Sequence, residues 1–310
     1  MLRGLYTAAS GMIAQQRKHD TVTNNIANIN TPGYKQGTGL SRSFPEMLIE
    51  RVRSGGGLGE QPVSRVGRLT TGVMAEETVS IHTQGDIQET QNPYDFALVS
   101  NIRVPDPADP TGNTFIPFDA SGKYVGANGV RMTQPQALFT VQDANGQQKY
   151  SLNGKFSVDE AGELITAEGY QVLGRNGQPI VLMNPTTNEP ISNFRISRSG
   201  LFTDVDGVPL LGADNQPMNL LISRVEDPNQ LVREGNGLYR LNQDAQGGVR
   251  AVELGEQVEV RQGYVERSNV DAGQSMVDMM SAVRAYEANQ KVIQYYDKSM
   301  DKAVNEVGRV

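Results

Sequence analysis

His19 and His82 are the only histidines among 310 residues, and the chain has no cysteine. A zinc-type site needs three or four N, S or O ligands drawn together by short spacings. The two histidines lie in unlike contexts, with no carboxylate at ligand spacing, so the residues suggest no metal. Without Cys there is no disulfide, thiolate ligand or thiol nucleophile. Ser299 and Lys302 reproduce the S-x-x-K spacing of some acyl-transfer enzymes, but on a charged helical face with no companion motif. The glycines of 54–59 precede no Gly-Lys-Ser/Thr and follow no convincing strand, so neither a phosphate loop nor a dinucleotide fingerprint is supported. Asp204-x-Asp206-Gly207 lacks the third ligand and distal Glu of a calcium loop, and reads as a hairpin turn. No carboxylate pair is singled out for glycoside hydrolysis. The expectation is a protein without catalytic residues, cofactor or metal.

The remaining signal lies in the elements. Near the N-terminus Leu5, Ala8, Met12, Val22, Ile26 and Ile29 share one helical row, interrupted by Gln15 and His19. Near the C-terminus the row is Met276, Met279, Val283, Tyr286, Gln290, Ile293, Asp297, Met300, Val304 and Val307, spaced as heptad a and d positions. Periodicity alone fits either a helix pair or one amphipathic helix on a globular domain. The middle reads as short strands punctuated by turns such as Asn145-Gly146, Asn176-Gly177 and Asn236-Gly237. Gly154–Ile165 resembles Gly200–Leu211, which suggests two similar hairpins.

The fold class expected is α+β: paired terminal helices, coiled-coil-like, with an inserted antiparallel β-domain. Residues 1–35 and 264–310 form the helical part. Residues 36–91 form an extended connector, 92–254 a β-rich outer domain with a surface insertion at 101–135, and 255–263 a return connector. Within the first connector, Ser43 and Glu46 match an S-x-x-E capping box with Pro45 in the first turn, so a short helix is expected over 43–52. A net charge of -7 without a basic stripe argues against nucleic acid. No run of 18 apolar residues exists to cross a membrane. The N-terminal stretch lacks the uninterrupted apolar core and cleavage site of a signal peptide.

At this point two long stretches become recognisable. Leu5–Lys35, "LYTAASGMIAQQRKHDTVTNNIANINTPGYK", resembles the N-terminal segment of flagellar axial proteins, those of rod and hook. Gly263–Met300, which contains "GYVERSNVD" and "RAYEANQK", resembles their C-terminal segment. The similarity is greatest to the rod subgroup of the hook–basal body family. It implies a structural subunit without enzymatic activity, whose paired terminal helices line a tube and whose β-domain lies outside. The partners implied are further copies of itself, other rod and hook proteins, and the flagellar type III export apparatus. Localisation would be the basal body, outside the cytoplasm, reached without a cleaved signal.

Phe44-Pro-Glu-Met-Leu48 fits the Phe-x-x-x-apolar export signal of early substrates; Phe44 and Leu48 would equally pack one turn of the short helix. Asn24, Asn25 and Asn28 lie off the apolar row, where neighbouring copies would approach, and each amide both donates and accepts. The insertion 101–135 departs from the family pattern and leaves proximal or distal rod position open. A secreted β-rich protein that binds or acts on cell wall is the alternative; an unrelated tubular component would not explain both terminal matches.

Overall fold

The structure is a computed structural model that describes residues 2–51, 64–106, 114–119, 121–126, 129, 131–183, 191, 193–212, 214–242, 248–253 and 256–307. The chain separates into two compact units. Unit 1 gathers residues 1–27, 37–79 and 271–310; unit 2 gathers 28–36 and 80–270. The stretch 37–79 therefore belongs with the helices instead of forming a bare connector.

Unit 1 contains α1 (Leu2–Ala27) and α2 (Ala272–Lys302), which lie against each other, and two β pairs. Asp271 caps α2 by accepting from the Gln274 N–H at 2.8 Å, which satisfies one of the donors that a helix start leaves unpaired. β1 (Gly37–Ser43) pairs with β4 (Val73–Ser80). β2 (Met47–Arg51) pairs antiparallel with β3 (Ser64–Leu69), from Met47 opposite Leu69 to Arg51 opposite Ser64. The helix expected over 43–52 is thus a strand. Ser43 ends β1, and Glu46 reaches Arg68 at 3.1 Å. The apparent capping box is a coincidence of spacing, overridden by a strand partner supplied from 64–69; residues 52–63 lie outside the described residues.

Unit 2 is built from antiparallel strands. In chain order they are β5 (Ile87–Glu89), β6 (Phe96–Ser100), β7 (Lys123–Val125), β8 (Arg131–Thr133), β9 (Gln136–Gln142), β10 (Gln148–Ser151), β11 (Phe156–Val158), β12 (Leu164–Thr166), β13 (Gln171–Val172), β14 (Phe194–Ile196), β15 (Phe202–Asp204), β16 (Ile222–Val225), β17 (Leu231–Gly235), β18 (Leu238–Leu241), β19 (Val249–Ala251), β20 (Val258–Gln262) and β21 (Tyr264–Glu266). The main sheet runs β11-β12-β13-β9-β10-β18-β17, with β16 joining β9 to β19. β9 is central because Gln136–Val141 are all buried, so its residues are taken up on both faces. Phe96, Phe139, Phe156, Phe194 and Phe202 meet in the core; Phe139 and Phe156 cross edge-on at 5.2 Å between ring centres. The insertion is partly anchored: Ile102 and Ile116 are buried, and β7 and β8 form a hairpin.

The internal repeat is real, but its register differs from the expected one. Residues 154–182 recur as 192–220, 38 positions on. Phe156 opposite Thr166 corresponds to Phe194 opposite Asp204. The Gly162 N–H bonds the Asp159 carbonyl as the Gly200 N–H bonds that of Ser197. The pairs Leu164 N–H to Ile180 and Gly174 N–H to Gln178 recur as Phe202 to Met218 and Gly212 to Gln216. Positive φ values recur as well: 80° and 84° at Gly162 and Gly200, 85° and 80° at Gly169 and Gly207, 76° and 60° at Gly177 and Asn215. The two copies stack. Gly174 bridges Leu220, the Arg175 N–H bonds the Asn219 carbonyl, and the Leu221 N–H bonds the Leu173 carbonyl.

Candidate assembly site

α1 is occupied on two faces within its own unit. Toward the β1–β4 ribbon it presents Thr7, Ser10, Ala14, Thr21 and Asn25, residues of one helical face. Thr7 Oγ1 donates to the Thr71 carbonyl at 2.8 Å, Ser10 Oγ accepts from the Val73 N–H at 3.3 Å, and Thr21 meets Thr78 at 3.4 Å. Asn25 is only 2% exposed. Its amide nitrogen donates to the Gly37 carbonyl at 2.8 Å and its oxygen accepts the Gly37 N–H at 2.9 Å, as a neighbouring strand would. Asn25 therefore does not face neighbouring copies; it supplies the missing ladder partner at the start of β1. Asn24 is exposed and Asn28 half-buried, with Asn28 Oδ1 accepting from Thr31 Oγ1 at 3.2 Å.

Toward α2, α1 presents small residues. A methyl at Gly4 would overlap the Tyr296 phenol, and one at Gly11 would lie 2.9 Å from the Asn289 amide. The side chains that α2 turns inward are Ser275, Met279, Ala282, Tyr286, Asn289, Ile293, Tyr296 and Met300, which alternate by four and three. Met279, Tyr286, Ile293 and Met300 belong to the expected row. Its other half is displaced: Ser275, Ala282, Asn289 and Tyr296 take the positions expected of Met276, Val283, Gln290 and Asp297. Small and amide side chains fill the seam because the backbones approach closely there, which leaves Met276 56% and Val283 40% exposed. On α1, Val22 is buried, and Leu5, Met12 and Ile26 are half-buried.

The result is exposed apolar surface on α2. Met276, Met280 and Val283 follow helical spacing on one face, while Val277, Val292 and Tyr295 are exposed on another. Between the helices, Gln15, Gln16, His19, Asp20, Ala282, Val283 and Tyr286 line a groove of about 370 Å³. Phe44 is exposed at the margin; Leu48 pairs with Arg68 in the β2–β3 hairpin, and its side chain lies outside the described residues. Strand geometry at Leu48 removes the helical-turn account of the Phe44–Leu48 spacing.

Unit 2 holds a polar knot where its chain segments enter and leave. Lys35 and Glu266 are 1% and 4% exposed, and form an ion pair at 2.7 Å. Lys35 Nζ also donates to the Thr83 carbonyl, and Glu266 Oε1 also accepts from the Gly85 N–H, each at 2.8 Å. The Asn269 oxygen accepts the Gln36 N–H at 2.7 Å while its nitrogen donates to the Ile81 and Thr83 carbonyls. Arg233 stacks on the Tyr34 ring at 4.7 Å and donates to the Lys35 carbonyl. His82 is used here too. Its Nδ1 lies 2.8 Å from Gln136 Oε1, and the Gln136 amide returns a bond to the His82 carbonyl. Burial, then the charge of Lys35, lowers the His82 pKa to about 4. Periodicity gave no hint of this knot, although "GYK" and "YVERSN" were conspicuous.

The other candidate chemical groups have ordinary roles. Ser299 Oγ donates to the Tyr295 carbonyl one turn back at 2.8 Å, and Asp204 Oδ1 accepts the Val205 N–H at 2.7 Å in its hairpin turn. Among the described residues no helix is long and apolar enough to cross a membrane.

Comparison with known proteins places these elements. Residues 5–35 match the family described as flagella basal body rod protein. Residues 132–204 match the D1 domain of flagellar hook protein FlgE/F/G, and 261–306 match the C-terminal family of flagellar basal body rod FlgEFG protein. The chain is 38% identical over 311 residues to the flagellar hook-basal body complex protein FlhO of Bacillus subtilis, covering all of both chains. It is 29% identical to the flagellar basal-body rod protein FlgG of Agrobacterium fabrum, covering 96% of each, and 27% identical to FlgG of Bacillus subtilis, covering 98% and 99%. Helical termini, an intervening β unit and full-length similarity agree, and the chain belongs to the flagellar basal-body rod family, as a structural component that assembles with rod and hook proteins.

Proposed function

We propose that the chain polymerises helically into the flagellar rod, with α1 and α2 paired as a coiled coil in its tubular core. The tube transmits torque and encloses the export channel, and its work is mechanical, not enzymatic. One observation carries this reading. The paired helices keep large apolar side chains uncovered, Tyr6 and Ile13 on α1 and Met276, Met280, Val283, Val292 and Tyr295 on α2. Apolar surface of this kind favours burial by neighbours, and identical copies would supply it. Asn24 and Asn28 are proposed to join those contacts. Export is proposed to run through the flagellar type III apparatus without a cleaved signal, and to read Phe44-x-x-x-Leu48 in the unfolded chain. Removal of residues 303–310 tests the helical-core reading: rods should be missing while unit 2 still folds, and normal rods built by the truncated chain would refute it.

A further inference from the structure

The two stacked copies in unit 2 use two kinds of edge, and among the described residues each kind is left over once. In copy one, Leu173 is 1% exposed: its N–H bonds the Thr140 carbonyl and its carbonyl accepts the Leu221 N–H. The equivalent residue of copy two, Leu211, is 54% exposed. Leu211 bridges Pro217 through its neighbours, since the Met218 N–H bonds the Leu210 carbonyl and the Gly212 N–H bonds that of Gln216. The alternation of a strand therefore turns the N–H and carbonyl of Leu211 itself away from its hairpin, where they meet no partner among the described residues. The complementary edge, Asn219–Leu221 in copy two, corresponds to Val181–Met183 in copy one. Among the described residues Val181 bridges only Glu163, through the Leu164 to Ile180 and Leu182 to Gly162 bonds, and its own polar groups face away from that partner.

We propose that unit 2 associates head to tail with a second copy of this chain, the Leu211 edge of one subunit pairing with the Val181–Met183 edge of the next. The contact repeats the one already present inside the molecule. The Met183 N–H of one subunit bonds the Leu211 carbonyl of its neighbour, as the Leu221 N–H bonds that of Leu173. The occupant is a second copy because the stacking operation is read from two edges of this one sequence. Pro209 narrows the fit further. It replaces Gln171, the residue opposite Gln142 of β9, and a proline has no N–H to offer a long β9-like strand. The open edge is thus usable only toward Leu211. Different edges meeting make a heterologous contact, which propagates as a helix wherever its rotation does not close a ring, and the inference rests on the polymeric reading above.

The absence of native cysteine makes the test clean. Met183→Cys and Leu211→Cys are introduced singly and together, and isolated basal bodies are oxidised and separated without reductant. The double variant should give a ladder of linked subunits, and each single variant only monomer, because neither edge meets itself. A double variant present in basal bodies but running as monomer overturns the edge contact and leaves the rod reading standing. Dimers of either single variant overturn it also, by showing a symmetric contact. A chain absent from basal bodies in the unsubstituted form overturns the rod reading, and the edge contact with it.

Discussion

Replacing Lys35 with Met breaks the polar knot at its centre and tests how unit 2 is held closed. Lys35 and Glu266 lie 231 positions apart, yet they sit 2.7 Å from each other and almost out of contact with water. Removing the ammonium leaves a buried carboxylate with the Gly85 N–H as its remaining donor. An uncompensated buried charge of this kind costs about 3–5 kcal/mol. Glu266→Met should cost a similar amount, since it strands the Lys35 charge and leaves the Gly85 N–H unbonded. The double variant removes both charges and fills the space with apolar side chains. Its residual cost is the Gly85 donor and one lost bond to Thr83, whose carbonyl keeps Asn269 at 3.2 Å; a deficit of about 1–3 kcal/mol follows. The double variant should therefore be more stable than either single one, with a coupling of several kcal/mol. Urea titrations followed by far-ultraviolet circular dichroism measure all four proteins. Additive costs in the double variant, or single-variant costs below about 1 kcal/mol, would refute the view that this pair closes the unit.

Three further outcomes follow from the same geometry. His82 has a folded-state pKa below its ordinary value, so the unfolded chain binds the proton first; its stabilising effect is complete above pH 6.5 and falls as pH drops toward 4. The loss approaches about 3 kcal/mol, and urea midpoints at pH 7 and 4.5 should converge for wild type and His82→Gln as the pH falls. Asn25→Leu should destabilise unit 1 by about 2–4 kcal/mol, because it strands both polar groups of Gly37; an unchanged melting temperature would return Asn25 to the role of a subunit contact. Gly4→Val should push Tyr296 out of the seam and prevent assembly, with partial rescue by Tyr296→Ala, and electron microscopy of basal bodies reads both.

The sequence made the two terminal helices and the β character of the middle legible, because apolar periodicity and Gly-containing turns are local signals. It misplaced half of the α2 seam. Ser275, Ala282 and Asn289 do not read as core, and the glycines that make room along the seam, Gly11 at Asn289 and Gly4 at Tyr296, lie at the other end of the chain. It misaligned the repeat because each copy contains several similar turns, and the turn at Gly162 of one aligns by local pattern with the turn at Gly207 of the other. The helix over 43–52 failed where a distant strand overrode a local motif. The Lys35–Glu266 knot was illegible because a buried charge looks like a surface charge until its partner is known.

The division of the chain carries a consequence for timing. Unit 2 is complete once residue 270 has appeared, but unit 1 needs its first, middle and last pieces together. Any process that delivers the chain from its N-terminus, ribosomal synthesis included, thus presents α1 long before α2 exists to cover Gly4 and Gly11. Contacts of such sequence separation form late and slowly. On the proposed polymeric reading, the surface that would polymerise is therefore withheld until delivery is nearly finished, and a chain caught midway has no finished face with which to nucleate a tube in the wrong place.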